Sequence, residues 1–172
     1  MIGDTMILHI PGPAEMERLG AAIASKLRPG DLVVLGGKLG AGKTTLTRGL
    51  GAALGVAGTV SSPTFVLART HPRGDEAPLV HVDAYRLSSP AELDDLDIDF
   101  ENSIVVVEWG AGMLEGIAES WLSVDIERPR SHATTDTAMT DTAPTEDVVE
   151  PRSVTVTGVG ARWRDLSWLE LD

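Results

Sequence analysis

The chain has 172 residues, 14 basic against 26 acidic for a net charge of −12, and no cysteine. That length fits one compact α/β domain, the missing cysteines exclude disulfides, thiolate metal sites and thiol nucleophiles, and the negative charge disfavours tight direct binding of nucleic acid. No apolar run nears the roughly 20 residues that span a bilayer, and Met1-Ile2-Gly3-Asp4-Thr5 lacks the basic start of a secretory leader, so a cytoplasmic protein with no membrane contact is expected.

Ile7-Leu8-His9-Ile10 reads as a short strand, ended by Pro11-Gly12-Pro13. Over residues 14–27, Met16, Leu19, Ile23 and Leu27 recur at three- and four-residue steps, the period of a half-buried helix, and Pro29-Gly30 stops it. Leu32-Val33-Val34-Leu35 then predicts a strand. It runs into Gly37-Lys38-Leu39-Gly40-Ala41-Gly42-Lys43-Thr44, which fits G-x-x-x-x-G-K-[ST] at every fixed position and is read as a phosphate-binding loop. Thr45 continues into a helix that places Leu46, Leu50, Ala53 and Leu54 on one face. Glycine lets such a loop turn its N–H groups inward around an anion, at backbone angles a side chain resists. Lys43 is placed to reach the β- and γ-phosphates, and the Thr44 hydroxyl to bind Mg²⁺.

Residues 60–68 read as a polar loop entering a strand, with Pro63 fixing the turn, and 71–78 as a surface hairpin connection. Leu79-Val80-His81-Val82-Asp83 and Ile104-Val105-Val106-Val107-Glu108 share one form, an apolar strand that ends in a carboxylate. Ligands of open α/β sheets bind beyond the carboxyl ends of the strands, so both acids are expected at the edge that carries the phosphate loop. Between them Ser89-Pro90 opens a helix with an acidic first turn. The acidic run at 94–101 lacks the glycine and the spacing of an EF-hand and reads as a solvated loop. Trp121-Leu122-Ser123-Val124-Asp125-Ile126 and Val154-Thr155-Val156-Thr157 alternate like strands and are expected to pair. The stretch 128–150 between them has almost no apolar periodicity and reads as a flexible acidic insertion. Residues 161–171 form a short amphipathic segment whose tryptophans are read as packing.

A nucleoside triphosphate needs charge neutralisation and positioning. Either Asp83 or Glu108 can be the acid associated with Mg²⁺, leaving the other to orient water. The guanine-reading Asn-Lys-x-Asp is absent, which favours ATP, and Arg69, Arg73 and Arg86 are too scattered for the basic lid of a small-molecule kinase. The expected fold is α/β: a single P-loop NTPase-like domain over 1–172, with a mostly parallel central sheet flanked by helices and some antiparallel edge strands.

The phosphate loop, Ser62-Pro63-Thr64-Phe65, His81-Val82-Asp83-Ala84-Tyr85-Arg86-Leu87 and Val107-Glu108-Trp109 stand in fixed order. In that order and spacing, over about residues 10–125, they resemble the TsaE (YjeE) family of bacterial ATPases. The resemblance implies Mg²⁺-dependent ATP binding and hydrolysis by an accessory subunit for threonylcarbamoyladenosine formation in tRNA. It implies TsaD and TsaB as protein partners, transfer chemistry in TsaD, and tRNA met only through the complex. It places the nucleotide on Gly37, Lys38, Leu39, Gly40, Ala41, Gly42, Lys43, Thr44, Thr45 and Trp109, and the metal on Thr44 and Glu108. Lys43, Asp83 and Glu108 are its catalytic residues, with Asp83 assisting hydrolysis, and Ser62, Pro63, Thr64 and Phe65 form a nucleotide-sensing switch. Lys38 stands where many members carry Asp, and Met16 where a Thr is common near the base. Two other readings stay open: a small-molecule P-loop kinase, and a nucleotide-dependent binding module with negligible turnover.

Overall fold

The computed structural model describes residues 2–38, 40–56, 68–110, 112–114, 116–128 and 151–169. In chain order these form β1 (Ile2–Ile10), α1 (Pro13–Ala24), β2 (Leu32–Gly36), α2 (Lys43–Leu54), β3 (Ala68–Arg73), β4 (Glu76–Asp83), α3 (Pro90–Asp94), β5 (Ile104–Glu108), β6 (Trp121–Glu127), β7 (Arg152–Val159) and a 3₁₀ turn at Ala161–Trp163. The strands make one sheet in the order β1-β7-β6-β2-β5-β4-β3.

The expectation of a mostly parallel sheet is corrected: the sheet is mixed. The pairings β6–β2, β2–β5 and β5–β4 are parallel, while β1–β7, β7–β6 and β4–β3 are antiparallel. Burial follows this division. The central strands β2 and β5 are apolar up to their last residues because both faces are covered: Val33, Leu35, Ile104 and Val106 pack toward α1 and α2, and Leu32, Val34, Val105 and Val107 toward α3 and Leu114. On β6 and β7 only alternate residues are buried, Leu122, Val124 and Ile126 on one and Val154 and Val156 on the other, as antiparallel strands with one packed face require.

Most predicted elements appear with shifted ends. β1 extends two residues before the expected start at Ile7 even in its regular pairing, Thr5 opposite Thr157, and reaches back to Ile2. The expected connection at 71–78 is mostly strand, because β3 and β4 turn over at Gly74-Asp75, and His71 within it is buried. On α2, Leu46, Leu50 and Leu54 are buried but Ala53 is exposed, since the buried stripe continues through Thr47 and Gly51 instead. In the acidic stretch, Asp95, Asp97 and Asp99 are exposed while Leu96, Ile98 and Phe100 pack on the second core. Trp163 is fully buried and its ring lies 6.0 Å from that of Trp168, so the terminal segment closes the core. Arg162 pins that segment through a two-pronged bond to Asp31, at 3.0 and 2.9 Å. Of the predicted insertion at 128–150 only Arg128 falls within the described residues.

Two glycines set how closely α1 and α2 approach, and with them the seat of the phosphate loop. A Cβ on Gly20 would meet the α2 backbone, with Leu50 N at 2.7 Å, and one on Gly49 would meet Glu17 Cα at 2.6 Å. Both neighbours are backbone and cannot swing aside. Gly20→Val is therefore expected to destabilise the protein by about 1–3 kcal/mol through overpacking, read from its urea midpoint. An unchanged midpoint would mean that the helices have room to separate.

Candidate nucleotide-binding site

The loop between β2 and α2 turns on glycines with positive φ: 137° at Gly37, 80° at Gly40 and 122° at Gly42. At Gly37 space is equally restrictive, for a Cβ there would lie 2.6 Å from the Ile126 carbonyl. Met16, on α1, is buried, and its Cε sits 3.3 Å from where a Cβ on Gly42 would be. On this chain that position supports the loop from below. Gly42 precedes α2 without a side-chain cap, so the first amides of the helix face the loop's concavity, with Thr44 and Thr45 half-buried in its first turn. Leu39 lies outside the described residues.

Lys43 is the buried cation of the site. Its Nζ donates to the carbonyls of Gly37 and Lys38 at 2.6 and 3.1 Å, so the ammonium ties the end of the loop to its beginning. It also lies 4.2 Å from the centre of the Trp109 ring, within cation–π range. Burial pushes its pKa below the ordinary lysine value of 10.5, and the charges of Glu108 and Asp83 pull it partly back.

Those two acids end adjacent parallel strands in register, Asp83 opposite Glu108. Side chains paired in this way share a face, and neighbouring strands lie about 4.8 Å apart, so the two carboxylates repel each other unless a cation stands near. Lys43 is that cation. Asp83 Oδ1 accepts the backbone N–H of Tyr85 at 2.9 Å, which turns the chain away after β4. Glu108 is buried, and its Oε2 lies 2.5 Å from Nε2 of the fully buried His81. Trp109 follows with φ 61°, a left-handed conformation that costs of order 1 kcal/mol in a bulky residue. That turn brings its ring over Lys43 and to 5.3 Å from the ring of exposed Tyr85.

The sequence-predicted residues Gly37, Lys38, Gly40, Ala41, Gly42, Lys43, Thr44, Thr45, Asp83, Glu108 and Trp109 thus converge on one edge of the sheet. Ser62, Pro63, Thr64 and Phe65 lie outside the described residues. Beside the loop opens a cleft of about 700 Å³, bordered by Lys38, Trp109, Asp125, Glu127, Arg128 and Thr155, a size that suits a nucleotide-sized ligand. In its wall the Asp125 carboxyl is pushed up by burial, reinforced by the charge of Glu127. Lys38 is exposed at the lip, so its cation adds to the mouth of the site rather than to the phosphate cradle.

The sequence reading gave two contributors no role. His81 stands there only as part of a strand and of the family motif, although its place two positions before Asp83 puts both on one face. Arg152, at the start of β7, donates from Nε to the Ala41 carbonyl at 2.9 Å and braces the loop from a residue 111 positions away.

Comparison with known proteins agrees with this geometry. Residues 10–136 match the family model described as threonylcarbamoyl adenosine biosynthesis protein TsaE. The chain belongs to the TsaE family. A relative from Streptomyces coelicolor, named tRNA threonylcarbamoyladenosine biosynthesis protein TsaE, is 55% identical over 86% of this chain and 93% of its own. The similarly named protein of Bacillus subtilis is 36% identical over 67% of this chain and 73% of its own. Among solved structures, Bacillus subtilis YdiB superposes with a TM-score of 0.69 at 27% identity, covering 95% of this chain and 90% of that one. The TsaE match stops at residue 136, so β7 and its Arg152 lie beyond it.

Proposed function

We propose that this chain acts in tRNA threonylcarbamoyladenosine biosynthesis as an accessory ATPase that binds ATP with Mg²⁺ and works on a TsaD–TsaB complex. The observation that carries the reading is the convergence of Lys43, Asp83 and Glu108 beside the glycine loop, one cation and two acids held by neighbouring parallel strands. Family membership supports the biosynthetic role. The donor set fits the ligand: the loop has no room for a side chain at Gly37, the helix start is uncapped, and oxygen ligands suited to Mg²⁺ stand at Thr44 and Glu108.

Bound Mg²⁺ would neutralise charge on the phosphates. The chain's own residues do the positioning. The loop amides and the first turn of α2 hold the phosphates against the helix dipole. Lys43 exchanges the Gly37 and Lys38 carbonyls for phosphate oxygens, which its length and its location inside the loop allow. Asp83, half-buried and already oriented by the Tyr85 N–H, keeps one oxygen to align a water for attack. Residues 62–65 are assigned the part of a switch that reports the γ-phosphate to partners. With a net charge of −12 the chain is expected to meet tRNA only through those partners.

The test is to mix the purified chain with TsaD and TsaB, with and without ATP, and to follow complex formation and phosphate release. ATP-dependent association with stimulated hydrolysis is the expected result. A phosphorylated small-molecule product would favour a kinase, and tight ATP binding without stimulated release would reduce the chain to a binding module.

A further inference from the structure

Glu108 can serve a metal only if it is held apart from Lys43. The two are near enough for the acid to pull the lysine's pKa upward, and both are buried, so direct pairing would withdraw the carboxylate from a metal, while the ammonium, with three donors, could still reach a phosphate. The observed arrangement avoids this. The Lys43 ammonium bonds the Gly37 and Lys38 carbonyls, and Glu108 Oε2 bonds His81. His81 is fully buried on β4, on the face it shares with Asp83 and Glu108.

The short contact needs its proton on the nitrogen that faces the acid. An ionised carboxylate oxygen only accepts, so at 2.5 Å it is Nε2 of His81 that donates; a ring with its proton on Nδ1 alone would set the Nε2 lone pair against that oxygen. Among the described residues Nδ1 is buried without a hydrogen-bond partner, so the contact with Glu108 is the one that fixes the ring.

We infer that His81 is the positioning residue of Glu108: its Nε2–H holds one carboxylate oxygen away from Lys43 and leaves the other for a ligand at the phosphate loop. The inference rests on the proposed metal role of Glu108. The terminal torsion of a glutamate is broad, so without a fixed donor the buried carboxylate would be free to turn toward Lys43, whose ammonium already feels its charge. A histidine that merely filled space would leave the metal response unchanged when replaced by a ring of similar size.

The experiment uses the full chain and measures ATP affinity by calorimetry with and without Mg²⁺, for His81→Gln, His81→Phe, His81→Asn and Glu108→Gln, with melting curves for each. A glutamine can place its amide N–H near the position of Nε2, phenylalanine fills the volume but cannot donate, and asparagine is polar but too short. His81→Gln is expected to keep the gain in affinity that Mg²⁺ brings to within about threefold, whereas His81→Phe and His81→Asn lose about 10- to 100-fold of it. Metal-free affinity is expected to stay within about threefold in all three. If the phenylalanine variant does not fold, the asparagine variant carries the comparison. A preserved Mg²⁺ gain in the non-donating variants, beside a lost gain in Glu108→Gln, overturns the inference alone. Equal failure of glutamine and phenylalanine, or a parallel fall in metal-free affinity, also overturns it. A preserved gain in Glu108→Gln overturns the metal role of Glu108, and the inference with it.

Discussion

Lys43→Ala is expected to weaken ATP binding by at least about 100-fold, because hydrogen bonds from a charged donor contribute about 1.5–3 kcal/mol each and 1.4 kcal/mol is tenfold in affinity. Three losses act together. The phosphates lose their buried cation. The Gly37 and Lys38 carbonyls lose the donor that closes the loop, at 2.6 and 3.1 Å. The Asp83 and Glu108 carboxylates lose the positive charge that both of them feel, so the repulsion between them is no longer offset at the place where a polyanion must enter. Isothermal calorimetry with ATP measures the effect, and a melting curve separates it from unfolding. The Trp109 ring, 4.2 Å from the ammonium, adds an independent signal, since its emission should change with the substitution alone. An ATP affinity within about threefold of the wild-type protein would refute the phosphate-loop assignment.

The parts of the site legible in the sequence were those whose chemistry depends on neighbours in the chain. A strand, eight loop residues and a helix are consecutive, so their spacing shows directly where Lys43 and Thr44 must lie. Asp83 and Glu108 could be placed because each ends an apolar run, and a strand's end is a local feature. The share of antiparallel pairing was underestimated for a related reason. A phosphate loop raises the expectation of parallel strands, yet the alternation in β6 and β7 and the two-residue turn at Gly74-Asp75 were already signs of antiparallel pairing.

What remained hidden depends on register between distant segments. His81 meets Glu108 only because β4 and β5 are parallel neighbours with His81 beside Val106, across 27 positions of chain. Arg152 reaches Ala41 only because β7 lies next to β6, which lies next to β2. Gly20 and Gly49 are unremarkable within their own helices, and their need for an absent side chain emerges when α1 crosses α2. No composition or period within one segment carries such information.

Glu108→Gln separates the proposed catalyst from a protein that only binds nucleotide. The substitution keeps the shape of the side chain and leaves an amide oxygen to accept the His81 Nε2–H, so the buried pair stays bonded while one charge is removed. Metal-free ATP affinity is then expected to hold or to tighten by a few-fold, because a carboxylate that repelled the phosphates has gone. The Mg²⁺-dependent gain in affinity moves the other way, and hydrolysis in the presence of TsaD and TsaB is expected to fall by about 100-fold, the scale on which metal sites respond to disrupted ligation. Opposite signs for the two affinities are the diagnostic result, since a loosened fold would weaken both. If both fall together Glu108 is a structural acid, and Asp83, beside it in register, becomes the carboxylate to which the metal must be assigned.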